Sequence, residues 1–224
     1  MRPEDSPFPC YWWGTGLEAV GLGDDRPDVS TYGQYDFNRL PALPFELRGD
    51  FSWLAAAPSH ATHIGIERAA GNAQALSMLR ATTAHLGIGL PEPFDRFMRD
   101  RLLQNRVRSN TDCYLDLCPS SVPSPVGQGY LVRFLSDSQG CLFWYLYLTS
   151  DGSDHAVVSS PSFYGLEEEQ WQEEPADPGT LVYCAESFEA FLCRFWLENE
   201  IWLAEYEQRP ILEAGRRYIE AYRR

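Results

Sequence analysis

The stretch FLSDSQGCLFWYLYL, residues 134–148, decides how this chain is read. Two apolar runs flank the turn Asp137-Ser138-Gln139-Gly140, in which Gly140 can take up a backbone conformation that a side chain resists. The reading is a β-hairpin, Tyr130–Ser136 against Cys141–Thr149. Side chains alternate along a strand, so Cys141, Phe143, Tyr145 and Tyr147 fall on one face and Leu142, Trp144, Leu146 and Leu148 on the other. A strand exposed on one side would alternate apolar with polar. Here both faces are apolar, as in a central strand covered on both sides. A second turn, Ser150–Asp154, leads into His155–Ser160 and extends the hairpin to a three-stranded antiparallel meander. A further short strand is expected at Thr180–Cys184.

Outward from this meander the period changes to that of a helix. Leu76, Leu79, Thr83 and Leu86 recur at helical spacing, and Gly87 stands where a helix-terminating glycine belongs. Pro91 and Pro93 introduce a second helix, Pro93–Gln104, with Phe94, Phe97, Met98 and Leu102 on one face. Ser187 is a natural N-cap for a helix running to Ala204, whose apolar stripe is Phe188, Phe191, Leu192, Phe195 and Trp202. Pro210 opens a last helix with Ile211, Tyr218, Ile219 and Tyr222 on one side. Residues 1–70 are rich in glycine, proline and aromatics without a sustained period. They read as an irregular N-terminal extension with short strands at Tyr32–Phe37 and Phe45–Trp53. The expected fold is α+β: a single domain over residues 71–224, with a central, largely antiparallel sheet flanked by helices and a closing C-terminal helix.

A chain of 224 residues with 44% hydrophobic and 14% aromatic content can bury a sizeable core. No run of about 18 apolar residues occurs, as a membrane-spanning helix would need. The opening MRPEDSPFPC has acids and prolines where a secretory signal needs a basic and then an apolar region, so a cytoplasmic location is expected. All 18 basic side chains are arginines, and the net charge of −14 argues against nucleic acid or an anionic membrane as the ligand while permitting a basic protein partner. Without lysine there is no P-loop, and no G-x-G-x-x-G stretch is present, so no cofactor is expected.

The candidate chemistry is thin. Cys10, Cys113, Cys118, Cys141, Cys184 and Cys193 form no C-x-x-C pair and read as buried small hydrophobes. Asp112 and Asp116 would raise the pKa of a thiol at Cys113 or Cys118, which opposes its use as a nucleophile. His155 lies near Asp151, Asp154, Ser159 and Ser160, but no G-x-S-x-G turn accompanies it. His60-x-x-His63 could place two imidazoles on one helical turn but lacks a third ligand, so no metal is expected. The chain is expected not to be an enzyme.

The charge distribution says more. Between Arg133 and Arg194 there is no basic residue, while Asp137, Asp151, Asp154, Glu167, Glu168, Glu169, Glu173, Glu174, Asp177, Glu186 and Glu189 are acidic. Many of these lie in the segment EEEQWQEEPAD, residues 167–177. Trp171 within it, and Tyr164 before it, are large aromatics of the kind that anchor interfaces. The candidate partner-binding residues are therefore Tyr164, Glu167, Glu168, Glu169, Trp171, Glu173, Glu174 and Asp177. A second charge bias, five arginines against two aspartates, occupies residues 94–108.

Taken in order, LPEPFDRFMRD (90–100), YLVRFLSDSQGCLFWYLYL (130–148), HAVVSS (155–160) and CAESFEAFLCRFWLENEIW (184–202) resemble the SUKH superfamily. Its pattern is a helix opened by Leu-Pro, a strand–turn–strand unit with aromatics and glycine, and a closing helix announced by Ser-Phe. The resemblance covers roughly residues 75–205. It implies an α+β fold and, for bacterial members, an immunity protein that neutralises a polymorphic toxin, often a nuclease or deaminase. It carries over no catalytic residue. The expected function is a non-enzymatic immunity protein that binds a basic toxin domain through its acidic surface. The alternatives are an adaptor in a cell-wall or signalling complex and a small cysteine or serine hydrolase.

Overall fold

The computed structural model describes residues 1–166 and 177–223. At its centre β5 (Gly129–Ser136), β6 (Phe143–Thr149), β7 (His155–Ser160) and β8 (Val182–Ala185) form an antiparallel sheet in that order. The outer edge of β5 is covered by two very short strands, β3 (Tyr114–Leu115) and β4 (Val122–Pro123). The expected meander and its two turns are present. Gly140 closes the first turn at φ +72°, and the Asp137 carboxylate accepts from the backbone N–H of Gln139 and Cys141. Asp137 is thus committed to the hairpin.

β6 is buried on both faces. Leu142, just before the strand, and Trp144, Leu146 and Leu148 enter the larger core, whereas Phe143, Tyr145 and Tyr147 enter a smaller one. Cys141 is not part of this pattern: it precedes the strand and is exposed. The helices α1 (Ala69–His85), α2 (Glu92–Arg99) and α4 (Phe188–Tyr206) supply the larger core. Phe188, the first residue of α4, joins these layers, its ring lying 5.1 Å from Phe94 and 5.3 Å from Phe134. Among the described residues the opposite face is covered by Phe8, Phe37, Val122, Val126 and Phe163. Among the described residues the α-helices therefore pack on one side of the sheet.

A β-bulge between Arg133 and Leu135 breaks the alternation of β5. It sends both Phe134 and Leu135 into the larger core and leaves Arg133 and Ser136 on the other side.

The N-terminal residues do not stand apart. β1 (Tyr11–Gly14) pairs with β2 (Gly33–Asp36), and Cys10 makes a parallel bridge to Tyr183 of β8. Trp12, Tyr32, Phe51 and Trp53 belong to the same core as α4. The expected strand at Phe45–Trp53 does not form. That segment is irregular, ending in a 3-10 turn at Ser52–Leu54, because its N–H groups at Gly49 and Phe51 are taken by the Glu189 carboxylate rather than by a neighbouring strand. The expected helix Pro93–Gln104 is also broken. Asp100 has extended backbone and caps a separate short turn, α3 (Arg101–Gln104), through the N–H groups of Leu102 and Leu103. The break turns Leu102 outward, leaving it 70% exposed. Ser187 caps α4 as expected, and α5 begins at Glu213 rather than at Pro210 (Glu213–Tyr222).

Candidate functional site

Because β6 and β7 run antiparallel, the Ser150–Asp154 turn and the described flanks of the acidic segment, Tyr164 and Asp177, lie at opposite ends of the sheet. Thr149 and His155 mark one end, where Asp151, Asp154 and Glu186 gather. Phe143 and Ser160 mark the other, where the chain enters and leaves residues 167–176. The seven residues of β6 separate these ends by about 20 Å. Among the described acids of the run, Asp137 and Glu189 leave the surface altogether. Asp137 holds the hairpin turn and accepts from the Tyr32 hydroxyl at 2.8 Å, and Glu189 is buried.

At the first end Asp151 is an exposed turn carboxylate. The Thr149 hydroxyl and the Ser153 N–H donate to it and lower its pKa to about 2. Burial works against the charge of Asp154, yet the Met1 ammonium at 2.7 Å prevails and holds its carboxyl below the ordinary range. Glu186 is exposed.

At the second end the candidate residues Tyr164 and Asp177 form a closed neck. The Tyr164 hydroxyl donates to the Asp177 carbonyl at 2.9 Å, and the Ser162 hydroxyl accepts from the Asp177 N–H at 3.3 Å. The Tyr164 ring stands edge-on to Tyr145, whose hydroxyl accepts from the Tyr164 N–H. Burial pushes the Tyr164 phenol up to about 12, so it remains a neutral donor. Asp177 is exposed and caps the turn Pro178–Thr180 through the N–H of Gly179. Both residues hold the ends of the acidic segment together. The other candidates, Glu167, Glu168, Glu169, Trp171, Glu173 and Glu174, lie outside the described residues.

Beside this neck is a cavity of about 460 Å³ that sequence reading did not find. Its floor is Asp116, whose carboxylate accepts from Arg133 Nε at 2.9 Å, from Ser136 Oγ at 2.8 Å and from Arg68. Arg133 is buried and lies over the Phe163 ring at 4.5 Å, while Arg68 sits at the rim over Tyr114. The bulge in β5 is what aims Arg133 and Ser136 at one carboxylate from across the strand. Only the lone arginine inside an apolar run could have signalled this.

The candidate catalytic residues are scattered. Cys113, Cys118, Cys184 and Cys193 are buried, and burial pushes the thiols of Cys184 and Cys193 up to about 12. Burial likewise raises Cys113. His155 is in β7, and burial lowers its pKa. His60 and His63 lie in irregular chain, not on a helical turn; His63 Nδ1 accepts from the Gly65 N–H. Among the described residues no group of three His, Cys, Asp or Glu side chains could hold a metal, and no helix is long and apolar enough to cross a membrane.

Compared with known proteins, the chain has no match among family models, curated proteins or solved structures.

Proposed function

We propose that this chain is a SUKH-like immunity protein that acts in the cytoplasm, without catalysis, by binding and neutralising a basic toxin domain. The observation that carries the reading is the unbroken absence of arginine from Phe134 to Cys193, over which acids accumulate. Asp151, Asp177 and Glu186 are exposed there, with no arginine paired to them among the described residues. Such a surface attracts a cationic partner over a range set by ionic strength, and raises its rate of capture. The order of elements also supports the reading: a helix pair, the meander β5–β6–β7, then β8 leading through Ser187 into α4, as in the superfamily that the sequence resembles. On this reading the neck formed by Tyr164 and Asp177 presents the acidic segment from a rigid sheet, where recognition loops commonly sit.

The test begins with the gene adjacent to that of this protein, which should encode a toxin with a basic C-terminal domain. Surface plasmon resonance between that domain and the full chain at two salt concentrations then separates the contributions. Reversing Glu168 and Glu173 to arginine should slow association and flatten its salt dependence. Trp171→Ala should speed dissociation, at a cost of about 2 kcal/mol or more if the ring is an anchor. Unchanged rates in both variants would overturn the assignment of this segment as the binding surface.

A further inference from the structure

At the far end of α4, Trp202 and Tyr206 lie one turn apart with their rings stacked at 5.3 Å and an interplanar angle of 19°. Tyr206 is 74% exposed, an unusual position for a large aromatic ring. Facing the stacked pair are Leu17 and Val20, and the groove between the two walls encloses about 210 Å³. Its remaining polar lining is Asp28 and Glu205, both exposed. Among the described residues neither carboxylate takes part in a salt bridge or accepts a hydrogen bond. Arg223 is turned to the Val20 carbonyl at 3.0 Å.

The wall opposite the aromatics is fixed. Leu17 N–H donates to the Arg26 carbonyl at 2.9 Å, and Arg26 is itself buried against Glu198. Asp28 is laid over Gly16 so closely that a Cβ there would meet its Oδ1 at 1.6 Å. Only glycine permits this approach. The groove is well below the roughly 300–1,000 Å³ of a small-molecule cleft. It has the scale of one long side chain.

We propose that this groove receives an arginine side chain presented by a basic protein partner. The stem would lie along Leu17 and Val20. The guanidinium would stack on the Trp202–Tyr206 pair, a cation–π contact, and donate to Asp28 and Glu205, its planar fork matching carboxylate geometry. The charge of the groove selects this occupant: an acidic guest would be repelled by Asp28 and Glu205, and a purely apolar one would cover both carboxylates without pairing them. The proposal shares with the functional reading only the premise of a basic partner, and uses no residue of 164–177.

The test uses the full chain and the peptide acetyl-Leu-Arg-Leu-amide, with citrulline in place of arginine as the neutral control. Binding is read from the indole N–H resonance of Trp202, assigned by its loss in Trp202→Phe. The expected result is a saturable shift that weakens with added salt, is absent with the citrulline peptide, and loses roughly tenfold or more in affinity in Asp28→Asn/Glu205→Gln. Both substituted side chains are exposed, so the double variant keeps its fold. No shift, an equal shift with citrulline, or unchanged affinity in the double variant would overturn the proposal. So would a shift that appears without peptide as protein concentration rises, because the occupant would then be a second copy of this chain. Reversing Glu168 and Glu173 should leave the peptide's affinity unchanged, so failure here and failure of the acidic-segment reading are separate results.

Discussion

The buried carboxylate of Glu198 offers the sharpest test of how the N-terminal residues are held. Its Oε1 accepts from Arg26 Nη1 at 2.6 Å and from the Tyr218 hydroxyl at 2.7 Å; its Oε2 accepts from Arg26 Nη2 at 2.8 Å and from Trp12 Nε1 at 2.7 Å. One side chain of α4 thus gathers β1, the following loop and α5. Glu198→Ala removes all four bonds and strands the Arg26 guanidinium, which is fully buried, with only the Thr15 carbonyl and the Tyr222 hydroxyl as acceptors. Breaking one partner of a buried ion pair costs about 3–5 kcal/mol, because the remaining charge is uncompensated. In a domain of this size each kcal/mol lowers the Tm by about 2–4 °C, so a fall of roughly 6–20 °C is expected in a thermal melt. Arg26→Met/Glu198→Leu removes both charges and should be milder than Glu198→Ala alone. A loss below about 2 °C in the single variant, or a double variant as unstable as the sum of the two single ones, would refute the reasoning.

The same residue predicts a response to acid. Burial opposes its charge, but the Arg26 guanidinium outweighs burial and holds the carboxyl below its ordinary pKa. A depressed acid contributes stability that is complete above the unfolded value, about 4.3, and is lost as pH falls through the folded one. Acid denaturation below about pH 4 should therefore be shallower in the double variant than in the native chain.

Trp144→Ala should cost about 3–5 kcal/mol in chemical denaturation, since its ring is 1% exposed and meets Tyr32, Phe191 and Phe195; an unchanged midpoint would place it outside the core. With a thiol-labelling reagent Cys141 should react first and Cys113, Cys118, Cys184 and Cys193 only on unfolding. Burial and the nearby Asp137 raise the Cys141 pKa, so its labelling should accelerate with pH. Burial lowers the pKa of His155, so the unfolded chain takes up a proton first and stability should decline as pH falls below roughly 6.5; His155→Gln should flatten that slope in pH-dependent melts.

What sequence alone revealed was periodic. β6, β7, α1 with Gly87 after it, and the Ser187 cap of α4 were legible because each rests on local spacing or on one residue's backbone preference. What escaped was set by long-range polar contacts. Nothing near Phe45–Trp53 announces that its N–H groups bond to Glu189, far along the chain. Asp100 looked like any surface acid in a helix, but it caps the turn that follows and so breaks the helix. The cavity beside the neck depends on a bulge in β5, and a one-residue slip in register leaves no trace in an apolar run.

The acids of α4 show where charge counting misleads. A helix with a single apolar stripe should expose its carboxylates, yet Glu189, Glu198 and Glu200 are all buried. Each binds a different part of the irregular chain. Glu189 takes Gly49, Phe51 and Trp53, Glu198 takes Trp12 and Arg26, and Glu200 takes Arg108 and Arg209. Asn199 adds a fourth tie, accepting from the Asn110 N–H at 2.7 Å. The sheet alone needs only one covered face of α4; these residues use its remaining sides to bring in residues 12–53 and 108–110. Their charges are spent on folding and cannot serve a partner. Any electrostatic capture must then come from acids left at the surface, such as Asp151, Asp177 and Glu186 in the run and Asp28 and Glu205 at the groove. Substituting Glu186, Asp28 or Glu205 should change association while leaving the melting temperature unmoved, whereas substituting the buried Glu189, Glu198 or Glu200 should do the reverse.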